Sequence, residues 1–222
     1  MRRLNAAALA LALALALLAA SGPALAAQAE GVVEGALSNG TAGGKSVAGA
    51  PVTLAVLVDG AEKETRQAMA DALGRYRFEG VPRGAAYSYL ARAEFDGVTY
   101  SVGPAPFPAE GAALALNLTV YETTDNPAAL RFDRADIIVT VGGGLLTLWE
   151  HYTVANGGDR TYIGDRTPEL RARTTLRFVL PRNAGPPDLL EGFDRSKAIV
   201  TSQTIFDTRP VLPGAREFFF AY

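Results

Sequence analysis

Few side chains in this sequence could carry out nucleophilic or acid–base chemistry. The chain has one histidine, His151, and no cysteine, so cysteine nucleophiles and cysteine-based metal sites are excluded, together with most histidine-based ones. As a general base, His151 would need a serine nucleophile and an orienting acid from distant loops. Its setting among the strand-forming residues Trp149–Tyr152 favours the polar face of a strand or an interface. We therefore expect no enzymatic activity, no catalytic residue and no cofactor.

Two pairs of aspartates are spaced so that loop oxygens could bind calcium: Asp133 with Asp136, and Asp159 with Asp165. The sequence lacks an Asp-x-Asp-x-Asp/Asn-Gly run, the spacing that gathers several oxygen ligands around one ion. Solvated loop acids are the favoured interpretation, and we expect no metal site.

Three aromatic side chains are candidates for facing a ligand: Tyr76, Tyr89 and Trp149. Such rings can stack on sugars when several of them share an exposed face. Packing in a core explains the same residues equally well, so both interpretations stay open. A carbohydrate-binding module is one alternative function, and it requires these rings to be exposed beside one another.

The first 27 residues have the composition of a secretory signal peptide. Arg2 and Arg3 give a positive start, Ala6–Ala20 is an uninterrupted Ala/Leu run, and Ala24–Ala26 supplies small residues for cleavage after Ala26 or Ala27. A retained anchor is the alternative, but the run is shorter than the roughly 20 residues that a bilayer needs. We expect an exported protein that is located at the cell surface, in the periplasm or outside the cell.

The charge of the chain argues against a nucleic-acid partner. The net charge is −2 for 222 residues, and cleavage of the signal peptide would take it to about −4. Basic residues do not cluster with aromatic ones, as they would on a surface that neutralises phosphates. An exported chain without cysteine has no disulfides, so its stability must come from burial.

Residues 28–122 have the strand spacing of an antiparallel β-sandwich. Short apolar runs alternate with clusters of Gly, Pro, Asn and Asp, and Leu114–Tyr121 shows the clearest alternation of apolar and polar residues. We predict a solvent-facing strand over Glu62–Ala72 in preference to a helix, and an edge crossing at Gly103–Pro108. The break at Thr123–Pro127 is the predicted domain boundary.

Residues 123–222 are predicted to form a second β-sandwich. Gly142–Gly144 and Asn156–Asp159 are predicted hairpin turns, and Arg182–Ser196 is a predicted irregular loop. The glycine triplet is not followed by Gly-Lys-Ser/Thr, so a phosphate loop is disfavoured. The predicted strands are 135–141, 145–155, 174–180, 198–206 and 217–222.

The last five residues, Phe218–Tyr222, are strand-forming, and no polar tail follows them. An apolar edge of this kind would promote aggregation. Either this strand closes the second sandwich or the chain is a truncated version of a longer protein, and we favour truncation.

Three segments of the first half resemble carboxypeptidase regulatory-like domains, a transthyretin-like (prealbumin-like) group of β-sandwiches. They are Gly31–Gly35, Val47–Leu54 and Asp71–Pro82, followed by Tyr87. Leu73 stands where the family usually carries Asp or Asn. The resemblance implies accessory, structural or binding work without catalytic activity. The second half is similar, through 148–156, 159–164 and 176–181, to a segment that follows such domains in bacterial surface proteins, which continue into a membrane anchor.

The expected fold is therefore all-β, with two consecutive antiparallel sandwiches of prealbumin-like or immunoglobulin-like type after a signal peptide. The expected function is that of an exported, non-enzymatic protein of the bacterial envelope, acting as a structural, surface or interaction module. Its partner would be a protein or a glycan at the cell surface, with membrane attachment only through a C-terminal anchor missing from this sequence. The alternatives are a carbohydrate-binding module and an accessory region of a secreted or membrane-anchored hydrolase.

Overall fold

A computed structural model describes residues 29–222, whose regular secondary structure consists of β-strands and two short 3-10 turns. The predicted signal peptide lies outside these described residues. The 3-10 turns are η1 (Pro127–Ala129) and η2 (Pro168–Leu170). The strands are β1 (Glu30–Asn39), β2 (Pro51–Val58), β3 (Ala61–Met69), β4 (Arg75–Pro82), β5 (Tyr87–Phe95), β6 (Val98–Ala105), β7 (Ala113–Ala115), β8 (Leu118–Val120), β9 (Thr123–Thr124), β10 (Leu130–Gly142), β11 (Leu145–Asn156), β12 (Thr161–Tyr162), β13 (Asp165–Thr167), β14 (Ala172–Thr174), β15 (Leu176–Val179), β16 (Asp188–Glu191), β17 (Ala198–Val200), β18 (Thr204–Asp207) and β19 (Gly214–Ala221). In residues 29–222, no helix is long and apolar enough to cross a bilayer.

The predicted all-β sandwich class is confirmed. In the first half, a sheet of β4, β1, β7 and β8 packs on a second sheet with the order β3-β2-β5-β6. Alternation along β2 sends Val52, Leu54 and Val56 into the shared core, where all three are buried. The pairing is not purely antiparallel, because β1 pairs parallel with both β7 and β8.

The predicted solvent-facing strand at Glu62–Ala72 is confirmed as β3, an exposed edge strand paired with β2, but it ends at Met69, three residues earlier than predicted. The segment Leu114–Tyr121 was predicted as one continuous strand. This was wrong, because the segment is divided into β7 and β8. At the break, the Asn117 side chain accepts a hydrogen bond from the Ala36 amide at 3.0 Å, and the Leu116 carbonyl accepts one from the Tyr76 hydroxyl. At the break the Asn117 side chain therefore takes the place of a backbone acceptor, although the Leu116 amide still donates to the Glu34 carbonyl at 2.8 Å and the apolar face stays buried.

The predicted edge crossing at Gly103–Pro108 was also wrong at its start. β6 continues to Ala105, which pairs with Tyr89. Between this pair and the next, β6 has one residue more than β5, because Gly103 and Pro104 lie opposite Leu90 alone; this register shift accommodates the proline as a β-bulge does.

The second half has its own core between the sheet β10-β11-β19-β16 and the smaller sheet β15-β18-β17. The buried residues of the two core clusters fall on either side of the predicted boundary at Thr123–Pro127, and the half-buried Ile163 and Leu212 of the second half pack against the first cluster. Polar contacts join the halves near it. The Tyr100 hydroxyl lies 2.8 Å from the Thr161 hydroxyl, and Glu122 accepts a hydrogen bond from Arg160 at 2.5 Å.

Three predictions for the second half need correction. Asn156–Asp159 is not a hairpin turn, because the strands on its two sides do not pair with each other. β12, the strand that follows it, pairs parallel with β9 instead of with β11. The Asn156 side chain holds this turn by donating to the carbonyls of Arg160 at 2.8 Å and Val211 at 2.9 Å. The predicted strand 198–206 is two strands, β17 and β18, and the predicted loop Arg182–Ser196 contains β16, which pairs with β19.

The predicted apolar edge at Phe218–Tyr222 lies inside a sheet. β19 pairs with β11 on one side and with β16 on the other, and Phe218 and Phe220 are fully buried. The alternative in which this strand closes the second sandwich is therefore confirmed, since β11 and β16 flank Phe219–Ala221 on both sides. The predicted turn at Gly142–Gly144 is confirmed, and it joins β10 to β11.

Candidate functional site

Two of the three aromatics predicted to face a ligand, Tyr76 and Tyr89, lie in the first core, so the prediction was wrong for these two. Tyr76 is 3 % exposed and Tyr89 is 0 % exposed. Their hydroxyls donate to the carbonyls of Leu116 and Pro82 respectively, so each ring is inside the sandwich with its polar end satisfied. Burial raises the pKa of Tyr76 to about 12. Neither side chain can join Trp149 in an exposed platform.

Trp149, the third predicted residue, reaches solvent on the outer face of the second sandwich. It is half-buried, and its ring stacks on that of Phe219 with centroids 5.9 Å apart and planes 28° apart. The registers of β10, β11 and β19 place Trp149 beside Ile138, and His151 between Asp136 and Phe219. Phe219 could not be predicted as the neighbour of Trp149, because the two residues are 70 positions apart and meet only when β11 pairs with β19.

These residues line an open groove of about 800 Å³, the outer groove. It carries three carboxylates, Asp136, Glu191 and Glu217, and one arginine, Arg134. Nε of Arg134 lies 2.5 Å from Oδ2 of Asp136, so these two side chains form an ion pair. The outer groove therefore has an excess of negative charge beside an aromatic pair.

His151 lies between two of these carboxylates without a close hydrogen bond to either. Its Nδ1 is 3.7 Å from Asp136 Oδ2, and its Nε2 is 3.6 Å from Glu217 Oε2. The groove lining contains no serine, threonine or tyrosine hydroxyl that the imidazole could activate. In residues 29–222, no group of three or more His, Asp or Glu side chains is arranged to hold a metal ion.

A second surface lies at the far end of the same hairpin, which we call the arm and define as Ile137–Leu148. On its inner face, the side that continues the core, Val139 is opposite Leu148 and Val141 is opposite Leu146. Ile137 and Val139 are 54 % exposed, Leu146 is 63 % and Val141 is 78 %. The arm therefore presents an apolar face to solvent.

The arm protrudes because its two strands are longer than the layer that packs beneath them. β10 and β11 have 13 and 12 residues, whereas β15, β18 and β17 have four, four and three. β19 pairs with β11 only as far as Trp149, and mutual backbone hydrogen bonds between Leu148 and Tyr222, at 2.9 and 3.1 Å, end this contact. Nearer the turn the hairpin is a two-stranded ribbon.

A buried polar cluster marks where the core ends and the arm begins. Glu150 is 6 % exposed, and its two carboxylate oxygens accept hydrogen bonds from Tyr152 at 2.6 Å and Tyr222 at 2.5 Å. Burial and the nearby carboxylate raise the pKa of both tyrosines. Because a buried carboxylate needs donors, these bonds fix the base of the arm.

Comparisons with known proteins leave the family of the chain open. No protein-family model matches it, and no curated protein matches it. Two solved structures are similar. One is PA1324, a candidate carbohydrate-binding protein of Pseudomonas aeruginosa, with 20 % identity, a TM-score of 0.26, and coverage of 43 % of this chain and 93 % of that one. The other is the major pilin SpaA of Corynebacterium diphtheriae, with 11 % identity, a TM-score of 0.28, and coverage of 86 % of this chain and 58 % of that one. Likeness at this level carries no argument about function.

Proposed function

We propose that this chain is an exported, non-enzymatic β-sandwich protein of the bacterial envelope, and that its arm docks a protein partner. The apolar inner face of the arm carries this proposal. Twelve large apolar side chains are strongly exposed in residues 29–222, and four of them, Ile137, Val139, Val141 and Leu146, share the inner face of the arm. Apolar patches of this kind mark interaction surfaces, whereas scattered apolar residues need no explanation.

Within this proposal, residues 28–122 are a carboxypeptidase regulatory-like domain and residues 123–222 are a second domain, exported by the signal peptide over residues 1–27. The separate core clusters support the division. The first domain acts as a structural support and the second carries the binding surface. An accessory role beside a secreted or membrane-anchored hydrolase would use the same surface.

The test compares binding of the labelled chain to envelope material from its own host with binding of two matched variants. Val141→Ser with Leu146→Ser changes side chains that are 78 % and 63 % exposed on the arm. Met69→Ser with Leu73→Ser changes side chains that are 62 % and 69 % exposed in the first half. We expect the arm variant to lose at least about tenfold in affinity and the control to bind normally. Equal binding by all three proteins would rule out the arm as the docking surface.

A glycan is a second candidate ligand, and the outer groove favours it. The stacked pair of Trp149 and Phe219 offers an apolar surface to a sugar ring, and the nearby carboxylates accept hydrogen bonds from hydroxyls. Trp149 is the single tryptophan of the chain, so its fluorescence reports directly on this groove. A saturable shift with soluble surface glycans that is lost in Phe219→Ala would support glycan binding. An unchanged spectrum across a panel of such glycans would remove this candidate.

A further inference from the structure

One edge of the second sandwich is protected along half of its length and open along the other half. β10 is the last strand of its sheet, and no other strand of residues 29–222 pairs with its free edge. The N-terminal part of β10 carries four charged residues, Arg131, Asp133, Arg134 and Asp136, and has a register shift between Phe132 and Arg134. Charges and bulges of this kind normally prevent edge-to-edge pairing. From Ile137 to Gly142, the strand has no charge, proline or bulge.

We propose that a second copy of this chain occupies the open edge, and that the two β10 strands pair antiparallel about a two-fold axis at Ile138. This inference rests on the proposed function, since it names the partner of the arm. A symmetric dimer uses the same patch on both subunits, so the patch must be complementary to itself. The longest stretch of β10 without a bulge is Arg134–Gly142, and Ile138 is its midpoint.

This register matches side chains of like chemistry on both faces. On the inner face, Ile137 lies opposite Val139 of the second copy, and Ala135 lies opposite Val141. On the outer face, Asp136 lies opposite Thr140 and no like charges meet. An axis two residues earlier would place Asp136 opposite itself, and like charges directly opposite are destabilising.

The same symmetry brings the tip of each arm to the base of the other. Phe132 is 52 % exposed on the inner face at the base of β10, where its ring contacts those of Tyr152 and Phe178. In the proposed register, Phe132 lies beside the Gly144–Leu146 stretch of the second copy. The four exposed apolar side chains of β10 beyond the bulge, Ile137, Ile138, Val139 and Val141, then line the seam together with Phe132.

The available area favours a reversible dimer. A fully exposed Val, Ile or Leu side chain offers on the order of 100 Å² of apolar surface, so the four exposed apolar side chains of β10 and Phe132 contribute roughly 300 Å² per copy. The two copies together approach the lower end, about 1,200 Å², of specific interfaces once the paired backbone is included. We expect a dissociation constant in the micromolar range.

Sedimentation equilibrium over a concentration series tests the dimer and its register. Ile138 is 61 % exposed, so Ile138→Lys leaves the monomer folded but places two lysines face to face, and we expect at least about a tenfold weaker dimer. Ile138→Glu should weaken it equally, and an equimolar mixture of the two variants should dimerise again. Thr140→Lys, on the same face, meets Asp136 of the second copy and should preserve or strengthen the dimer. Leu73→Lys is the control for an exposed apolar position elsewhere.

Each outcome separates this inference from the proposed function. A wild-type chain that stays monomeric at about 100 μM, while Val141→Ser with Leu146→Ser still reduces binding to the envelope, would overturn the dimer and leave a different protein as the partner. A dimer that Ile138→Lys does not affect would overturn the β10 interface. If the wild-type chain is monomeric and Val141→Ser with Leu146→Ser binds the envelope as well as the wild type does, both the dimer and the proposed function are overturned.

Discussion

Two hairpins of this chain end at sheet edges, and their edge strands have opposite compositions. β3 is the exposed edge of the first sandwich and carries Glu62, Lys63, Glu64 and Arg66, with a register shift opposite Val56 and Leu57. β10 is the edge of the second sandwich and becomes wholly uncharged after Asp136. Both strands are the last strand of their sheet, so edge position alone does not explain the difference. The first edge is protected against association, whereas the distal half of the second is available for it.

The largest expected contrast is between the base of the second hairpin and its tip. Phe220 is fully buried, and its ring contacts those of Phe178 at 5.5 Å and Tyr152 at 6.0 Å. Phe220→Ala should therefore reduce the free energy of unfolding by about 3–5 kcal/mol. Val141→Ala, at a position 78 % exposed, should change it by less than about 0.5 kcal/mol. Urea unfolding of dilute protein measures both values.

Phe219→Ala is the matched control for Phe220→Ala, because the neighbouring residue points to the outer face and is half-buried. Its cost should be clearly smaller. A large loss of stability in Val141→Ala at low concentration would mean that the arm is already covered in the monomer, and the contrast between base and tip would be lost.

Phe78→Ala gives the corresponding test in the first sandwich. The side chain is 5 % exposed and packs edge-on to Tyr76, so we again expect a loss of about 3–5 kcal/mol. The single tryptophan, Trp149, reports on the second half alone. If the proposed domains unfold separately, circular dichroism will show an early transition while the tryptophan transition stays in place. A common shift of both signals would argue against independent domains.

The sequence predicted the strands of this fold better than their partners. Alternation identified the buried face of Leu114–Val120, and the position of Glu62–Ala72 between two strand-forming runs identified β3 as a solvent-facing strand. The parallel pairing of β1 with β7 and β8 could not be predicted, because it joins segments about 80 residues apart. The break between β7 and β8 depends on the hydrogen bond from the Ala36 amide to Asn117, which is tertiary information.

The candidate site shows the same limit. Alternation with Phe78 could have placed Tyr76 in the core, since both lie on one face of β4. The arm was predicted as two strands, but its exposure follows from the shorter strands beneath it, and their lengths matter only once the sheets are stacked. An uninterrupted run such as Ile137–Val139 is equally typical of a strand buried on both faces.

A smaller effect is expected at the tyrosines that close the first core. Tyr76→Phe removes the hydrogen bond to the Leu116 carbonyl and should cost about 1 kcal/mol at neutral pH. Burial raises the pKa of Tyr76 to about 12, above a value near 10 in the unfolded chain. The folded state therefore retains its proton, and this contribution is fully present below pH 10 and is lost as the pH rises towards 12. Unfolding measured from pH 8 to 11.5 should show a shallower alkaline decline for Tyr76→Phe, and an unchanged slope would contradict this assignment.

Lys63→Val with Glu64→Val is expected to have the smallest effect on stability. It makes the charged edge strand β3 apolar, like the distal half of β10, and so reverses the difference between the two edges. Both side chains are exposed on β3, and the ion pair of Glu64 with Arg66 at 2.6 Å lies at the surface, so the free energy of unfolding should change by less than about 0.5 kcal/mol. The variant is made in the Ile138→Lys background, where the β10 edge is blocked. Concentration-dependent association should then appear, whereas Lys63→Gln with Glu64→Gln should stay monomeric because its edge is still polar. If the valine variant also stays monomeric, the bulge opposite Val56 and Leu57 is sufficient to protect β3, and the charges on β10 matter less than the register shift at Asp133.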